Sequence, residues 1–263
     1  VPGLRVATFE ARQSALTIGI RGIVPLDAKL LLRAYTVGVF PMADSRDAPT
    51  VYWVEPRTRA VLPLDDFHLS RSLRKTLISG RYQTTVDRAF DAIVDLCAQA
   101  ADDRPDTWIN TQIATAVAQL HRSGFAHSIE TWRADELVGG LYGIAIGRAF
   151  FGESMVSRAT DASKVALAHL VARLRCGGFT LLDCQFQTDH LASMGAVEIE
   201  RADYRALLAA AVTGAASASD STEAGDFFAF DRLAAAPGVV PAITTVSGPT
   251  SAWRIVQSLV QTS

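Results

Sequence analysis

Paired cysteines, long apolar runs and an excess of either charge are all missing from this sequence of 263 residues. The three cysteines, Cys97, Cys176 and Cys184, are odd in number and none stands in a CxxC pair, which argues against a disulfide framework or a zinc site and fits a reducing compartment. Free cysteine is ordinarily a small buried hydrophobe, and these three read that way. No apolar run approaches the roughly 20 residues that a membrane span needs, and the first residues lack the order of a secretion signal. The chain is therefore expected in the cytoplasm, with no membrane partner. Net charge is only -2, from 25 Lys and Arg against 27 Asp and Glu, so any contact with nucleic acid must come from a local patch.

The usual signatures of chemistry are missing too. Five histidines are scattered along the chain and none stands at HExxH spacing, which leaves a metal site without support. GxSxG, GxxxxGK[ST] and GxGxxG are all absent, and hydrolase, P-loop and dinucleotide-binding readings lose their warrant with them. Asp189-His190 reads as a helix-capping acid beside a surface histidine, since nothing nearby forms a nucleophile elbow.

What is present is a core. Hydrophobic residues make up 49% of the chain and charged ones 20%, enough for one large folded unit or a small and a medium one. Asp27 precedes a helical pattern stopped by Gly38; two short strands follow at 51–54 and 59–62. Ser70, Asp87, Asn110 and Asp161 each stand where a helix cap is expected. Alternating stretches at 127–133 and 136–146, joined at Ala134-Asp135, read as a hairpin, with Gly147-Arg148 turning into a further strand. Shorter strands near 82–86, 179–183 and 196–199 and a last helix over 201–212 complete an α+β pattern. Residues 214–225, GAASASDSTEAG, have linker composition, and the segment beyond, with Phe227, Phe228, Phe230, Ile255 and Val256, is too short to fold alone. The expected units are a small domain over 1–66, a main domain over 67–213 and an extension over 214–263.

The stretch Phe150-Phe151-Gly152-Glu153-Ser154-Met155 sets an acid among apolar strand residues, and Leu181-Leu182-Asp183-Cys184-Gln185 repeats the arrangement with an acid and an amide. Carboxylates in such places must face water or be held by donors. Strands of one sheet would bring the two endings together, and that meeting point is the expected centre of the protein. Upstream, Arg57, Arg59, Arg71, Arg74, Lys75 and Arg81 face only Asp65 and Asp66 in sequence. A solvated helix face explains such a run most simply; a nucleic-acid patch is the sharper reading.

These residues carry a resemblance. FPM, HLSRSL, the long stretch from WINTQ through GESM, SR and ASK, and then DCQ and DHLASMGA resemble the leucyl/phenylalanyl-tRNA–protein transferase family over roughly residues 25 to 212. The resemblance implies a small N-terminal domain followed by an acetyltransferase-like (GNAT) mixed-sheet domain flanked by helices. It implies transfer of Leu or Phe from aminoacyl-tRNA to the N-terminal Arg or Lys of a protein, marking that protein for degradation, with no cofactor. Matched to the family's motifs, Asp183 and Gln185 would be the catalytic pair, Gln185 touching the attacking amine and Asp183 orienting it, while Glu153 would pair with the cationic acceptor. Leu141, Phe150 and Met155 would line the pocket for the Leu or Phe side chain, with Trp53 and Trp108 near the terminal adenosine and the pocket. Arg71, Arg74 and Lys75 would hold the tRNA. Two other classes compete. An acyl-CoA transferase needs a glycine-containing turn for pyrophosphate, and the corresponding turn here, SRATDASK, has none and carries Asp161. A non-catalytic tRNA-binding module would explain the basic stretch but not the acid and amide at the strand ends.

Overall fold

The computed structural model describes residues 16–18, 26–99, 107–213, 224–232, 247–250 and 252–260. Most of the linker expected at 214–225 lies outside the described residues, as do the first fifteen residues and 100–106.

The N-terminal unit starts where local chemistry starts it. Asp27 is extended and its carboxylate accepts the Leu30 N–H at 2.6 Å, opening helix α1 (Ala28–Thr36), which buries Leu31 and Tyr35 and ends before Gly38 at φ 84. Strands β1 (Leu16–Ile18), β2 (Phe40–Met42) and β3 (Tyr52–Glu55) form an antiparallel sheet in the order β1-β3-β2.

The large sheet collects β4 (Thr58–Val61), β5 (Gln83–Val86), β6 (Ala126–Arg133), β7 (Glu136–Ile146), β8 (Ala149–Ser157), β9 (Leu181–Gln185), β10 (Val197–Glu200) and β11 (Ser247–Thr250) in the order β10-β4-β9-β8-β7-β6-β5-β11. Every described pairing in it is antiparallel except β8 with β9. Strand β4, grouped by sequence with the small first unit, belongs here instead, because three of its four residues are buried and both its edges find partners, β10 and β9. Helix α5 (Ala162–Cys176) covers one face and is almost wholly buried, since α2 (Arg71–Ile78), α8 (Ala229–Arg232) and α9 (Ala252–Val260) pack over it. Helices α3 (Phe90–Cys97) and α4 (Thr111–Arg122) cover the other face, the short α6 (Asp189–Ala192) follows β9, and α7 (Arg201–Val212) lies against β4, β8, β9 and β10. This is the α+β architecture expected: a small N-terminal unit and a mixed sheet flanked by helices. Among the described residues no helix is long and apolar enough to cross a membrane.

Glycines in β7 let the layers close. A Cβ on Gly143 would lie 2.3 Å from the Phe151 carbonyl oxygen and 2.4 Å from the Phe150 ring, closer than any side chain can come. Two expected caps are otherwise employed. Asp87 sits at φ 56 and accepts hydrogen bonds from the Ser128 N–H at 2.8 Å and pairs with His127 Nδ1 at 2.7 Å, so α3 begins after Ala89 without a side-chain cap. Asp161, at φ 67, turns its carboxylate to the Thr76 hydroxyl rather than to its own helix. The longer-range bond won in both cases because a left-handed backbone aims the side chain away from the first turn.

The extension packs back on the body. Arg173 on α5, fully buried, forms a two-pronged pair with Asp231 at 2.6 and 2.7 Å and lies over the rings of Phe227, Phe228 and Phe230.

Candidate active site

Two irregularities in neighbouring strands make the site. Strand β8 pairs with β7 as Tyr142 with Ser154 and Gly143 with Gly152, so Glu153 is the extra residue of a bulge. Strand β9 pairs with β4 as Val61 with Asp183 and Ala60 with Gln185, so Cys184 is extra there, and Gln185 emerges at φ 62. Between the two strands, pairing stops at Phe151 with Asp183. Beyond that point the sheet parts, and the gap opens into a pocket of about 150 Å³.

The pocket wall is mostly apolar with a polar minority. Trp108, Leu141, Met155, Leu167, Leu170, Leu182 and Leu191 supply apolar wall; Glu153, Gln185, Ser154 and Thr188 lie among them. The pocket's size suits one large aliphatic or aromatic side chain. Across the gap, the Gln185 side-chain Nε2 donates to Glu153 Oε1 at 2.7 Å, which is the meeting of strand endings that the sequence suggested.

The two acids differ sharply in their company. Asp183 is fully buried and accepts from Arg59 Nε at 2.9 Å, Arg59 Nη2 at 2.7 Å, the Tyr204 hydroxyl at 2.7 Å and the Gln185 backbone N–H at 2.8 Å. Its lone pairs are spent on the protein. Arg59 in turn donates to the Gly38 carbonyl and is sandwiched between the rings of Phe40 and Tyr204, 4.7 and 4.6 Å from its guanidinium carbon. Burial works against the Arg59 charge, but Asp183 beside it outweighs that and holds the guanidinium firmly ionised; burial likewise pushes the Tyr204 hydroxyl far up. Glu153 is nearly as buried but has no cation bonded to it among the described residues. Burial pushes its carboxyl up to about 8, with Asp183 adding to the rise, while Tyr35, Arg59 and Gln185 hold it back. The buried Tyr35 hydroxyl lies beside it, and burial, then the Glu153 charge, push that hydroxyl up in turn. His190, also on the pocket wall, is no surface histidine: burial first, then Lys164, lower it to about 4, and its Nε2 is buried without a partner.

The expected site residues do not all arrive together. Asp183, Gln185 and Glu153 converge, and Trp108, Leu141 and Met155 line the pocket. Phe150 does not line it: the ring is fully buried behind the sheet face, stacked 5.7 Å from Phe227. Trp53 is packed into the main apolar core, the one that also holds Trp108, and does not line the pocket. Arg71, Arg74 and Lys75 are exposed on α2, away from the pocket lining. Arg59, counted in sequence with the basic surface, is among the most buried residues of the protein. One signal could have found it, a cation inside the apolar strand TRAV, which demands a buried counter-charge. Among the described residues no three His, Cys, Asp or Glu side chains converge to hold a metal.

Known proteins place the chain. The family model for leucyl/phenylalanyl-tRNA protein transferase matches residues 61–209, and that for the N-terminal domain of the same enzymes matches 25–57. The chain belongs to the leucyl/phenylalanyl-tRNA protein transferase family. A relative of that name from Rhizorhabdus wittichii is 59% identical over 90% of this chain and 99% of its own, and one from Zymomonas mobilis is 58% identical over 79% and 76%. Among solved structures, FemX overlaps 71% of this chain and 70% of its own at 11% identity, with a TM-score of 0.42, a likeness too slight to carry an argument. Within the family match fall both bulges, the parted strands and the Arg59 partner Asp183; Arg59 itself lies in the short gap between the two matched segments.

Proposed function

We propose that this member of the family moves Leu or Phe from an aminoacyl-tRNA to the N-terminal Arg or Lys of a protein, and that the parted strands β8 and β9 are where it does so. The observation that carries the reading is a mainly apolar pocket whose wall includes the hydrogen-bonded Glu153 and Gln185 pair. The Leu or Phe side chain lies against Met155, Leu141 and Trp108, which brings its ester carbonyl toward the strand tips. Glu153, with no cation bonded to it among the described residues, keeps its proton near neutrality and gives it up to solvent as the cationic acceptor residue arrives, so that the two pair.

The chemistry is aminolysis of an ester. The acceptor nitrogen bonds to the carbonyl carbon, the bond to the ribose oxygen breaks, and the departing oxygen takes up the proton the amine gives. An α-amino group with pKa of about 7.7–8.0 is already partly neutral near neutrality, so no strong base is needed. Positioning supplies much of the acceleration. Gln185 is held twice, by its backbone N–H on Asp183 and its Nε2 on Glu153, which leaves its side-chain oxygen to orient the incoming amine. Asp183 is a positioning residue in this scheme, since its oxygens already accept from Arg59, Tyr204 and Gln185. Trp53 and Phe150 then act through the core on which the pocket stands.

The test is direct: leucyl-tRNA and an Arg-initiated peptide are incubated with the protein and the peptide mass is read. A gain of one leucine supports the reading. A peptide that stays unextended while an authentic transferase extends it would overturn it.

A further inference from the structure

A second concavity lies beyond the end of β8. It is an open groove of about 410 Å³ lined by Arg81, Tyr82, Arg133, Arg158, Ala159 and Thr160. Three guanidiniums thus face one groove, contributed by the turn after α2, the end of β6 and the end of β8. The groove is a built feature of the fold. The Tyr82 hydroxyl donates to the Thr160 carbonyl at 2.7 Å, and the Thr76 hydroxyl donates to Asp161 at 3.1 Å, so α2 and the β8 to α5 connection are tied together on both sides of Arg81.

Its charge is not cancelled. Arg133 pairs with Glu136 at 2.7 Å on the open surface, but Arg81 and Arg158 have no carboxylate partner among the described residues; Arg158 bonds the neutral Gln99 side chain. Asp161, the acid that counts against pyrophosphate in this turn, points at Thr76 and lies 3.9 Å from Lys164. The net effect is cationic. Guanidinium forks match phosphate oxygens better than ammonium groups do.

We propose that this groove binds backbone phosphates of the aminoacyl-tRNA donor close to its charged 3′ end. The inference rests on the transferase reading. Met155 lines the aminoacyl pocket and Arg158 follows three residues on, roughly 10 Å at strand rise. A nucleic acid whose terminal residue sits at the pocket therefore passes the groove within a few nucleotides. The acceptor, cationic at its reacting end, would be repelled there, so the groove suits the donor alone. From it the basic surface runs back along α2 through Lys75, Arg74 and Arg71, which would take more distant phosphates.

The experiment compares the wild type with the Arg81→Gln/Arg158→Gln double variant, both residues being exposed, and with Arg74→Glu/Lys75→Glu. Direct titration with tRNA over a salt series is run beside transfer kinetics from leucyl-tRNA and from 3′-leucyl-adenosine, which has no backbone phosphate. The groove predicts that the glutamine pair weakens tRNA binding about tenfold, lowers the slope of log affinity against log salt by roughly 0.7–0.9 per lost arginine, and leaves transfer from leucyl-adenosine unchanged. Wild-type affinity and slope in that pair would overturn it, whatever the α2 variant does. Equal losses with both donors would also overturn it, by showing that the arginines support the pocket and not a phosphate. A site for free anions would show itself as a melting-temperature rise with inorganic phosphate in the wild type but not the variant, at unchanged tRNA slope, and that too counts against the proposal. Groove-dependent tRNA binding without transfer from either donor would leave the groove standing and remove the transferase reading.

Discussion

The tip of β9 and the bulge of β8 lie side by side, each carrying one carboxylate, and the fold surrounds the two in opposite ways. Asp183 has a guanidinium, a phenol and a backbone amide bonded to it. Glu153 has one side-chain amide bonded to it and a tyrosine hydroxyl beside it, with no cation among the described residues. Burial is similar; compensation is not. An acid whose lone pairs are filled by the protein has nothing left for a substrate, whereas one that is buried and under-compensated gains most when a cation arrives. Neighbouring acids thus differ in what the fold has left them free to bind.

Breaking the compensated side should cost most. Arg59→Met leaves Asp183 buried without its cation, and a loss of about 3–5 kcal/mol is expected, read as a large drop in melting temperature or in yield of folded protein. A variant that melts like the wild type would mean that Asp183 does not depend on Arg59.

The other side should show itself in the pH dependence of stability. The folded pKa of Glu153 is raised, to about 8, so its stabilising contribution is complete below the unfolded value near 4.3 and is lost as pH rises through 8. Glu153→Gln cannot ionise. From pH 5 to 9 the variant should therefore gain on the wild type by on the order of 2–4 kcal/mol in unfolding free energy. Parallel stability curves would show that Glu153 ionises as freely in the fold as out of it.

In kinetics the same substitution should cost about 1.5–3 kcal/mol toward an Arg-initiated peptide and little toward tRNA, the range for a charge-assisted hydrogen bond. Equal losses toward donor and acceptor would assign Glu153 to structure. The smallest expected effect lies in the apolar wall: Met155→Ala should raise the leucyl-tRNA concentration for half-maximal rate several-fold, from about 0.8 kcal/mol per buried methylene, with the fold intact. Trp108→Ala is a poorer probe, since that ring is also part of the main core and its loss destabilises the protein as well.

Features whose causes are local were open to sequence reasoning. Asp27, Ser70 and Asn110 cap their helices through bonds to residues three positions on, and the turns at Ala134 and Gly147 join strands that alternate plainly. What could not be read depends on pairing across long distances. Arg59 and Asp183 are 124 residues apart, and no pattern near either names the other. The bulges were hidden for a different reason: one extra residue in a strand leaves composition unchanged but reverses which side chains share a face. Met155 and Phe150, five apart, would point to opposite faces of a regular strand; here both join one cluster, yet the pocket touches Met155 while Phe227 covers Phe150.

The Arg59 cluster also sets a timetable. Its members emerge in the order Gly38, Arg59, Asp183, Tyr204, so at about 5–20 residues per second Asp183 leaves the ribosome roughly 6 to 25 s after Arg59. Until then Arg59 has no buried counter-charge to meet, and desolvating it alone would cost several kcal/mol. Strand β4 must therefore wait in water for β9, although it is made long before α5. The gap between β8 and β9 forms late in synthesis, when β9 can finally take its place between β4 and β8, and a chain cut short before Tyr204 lacks one of the three groups that hold Asp183 in place.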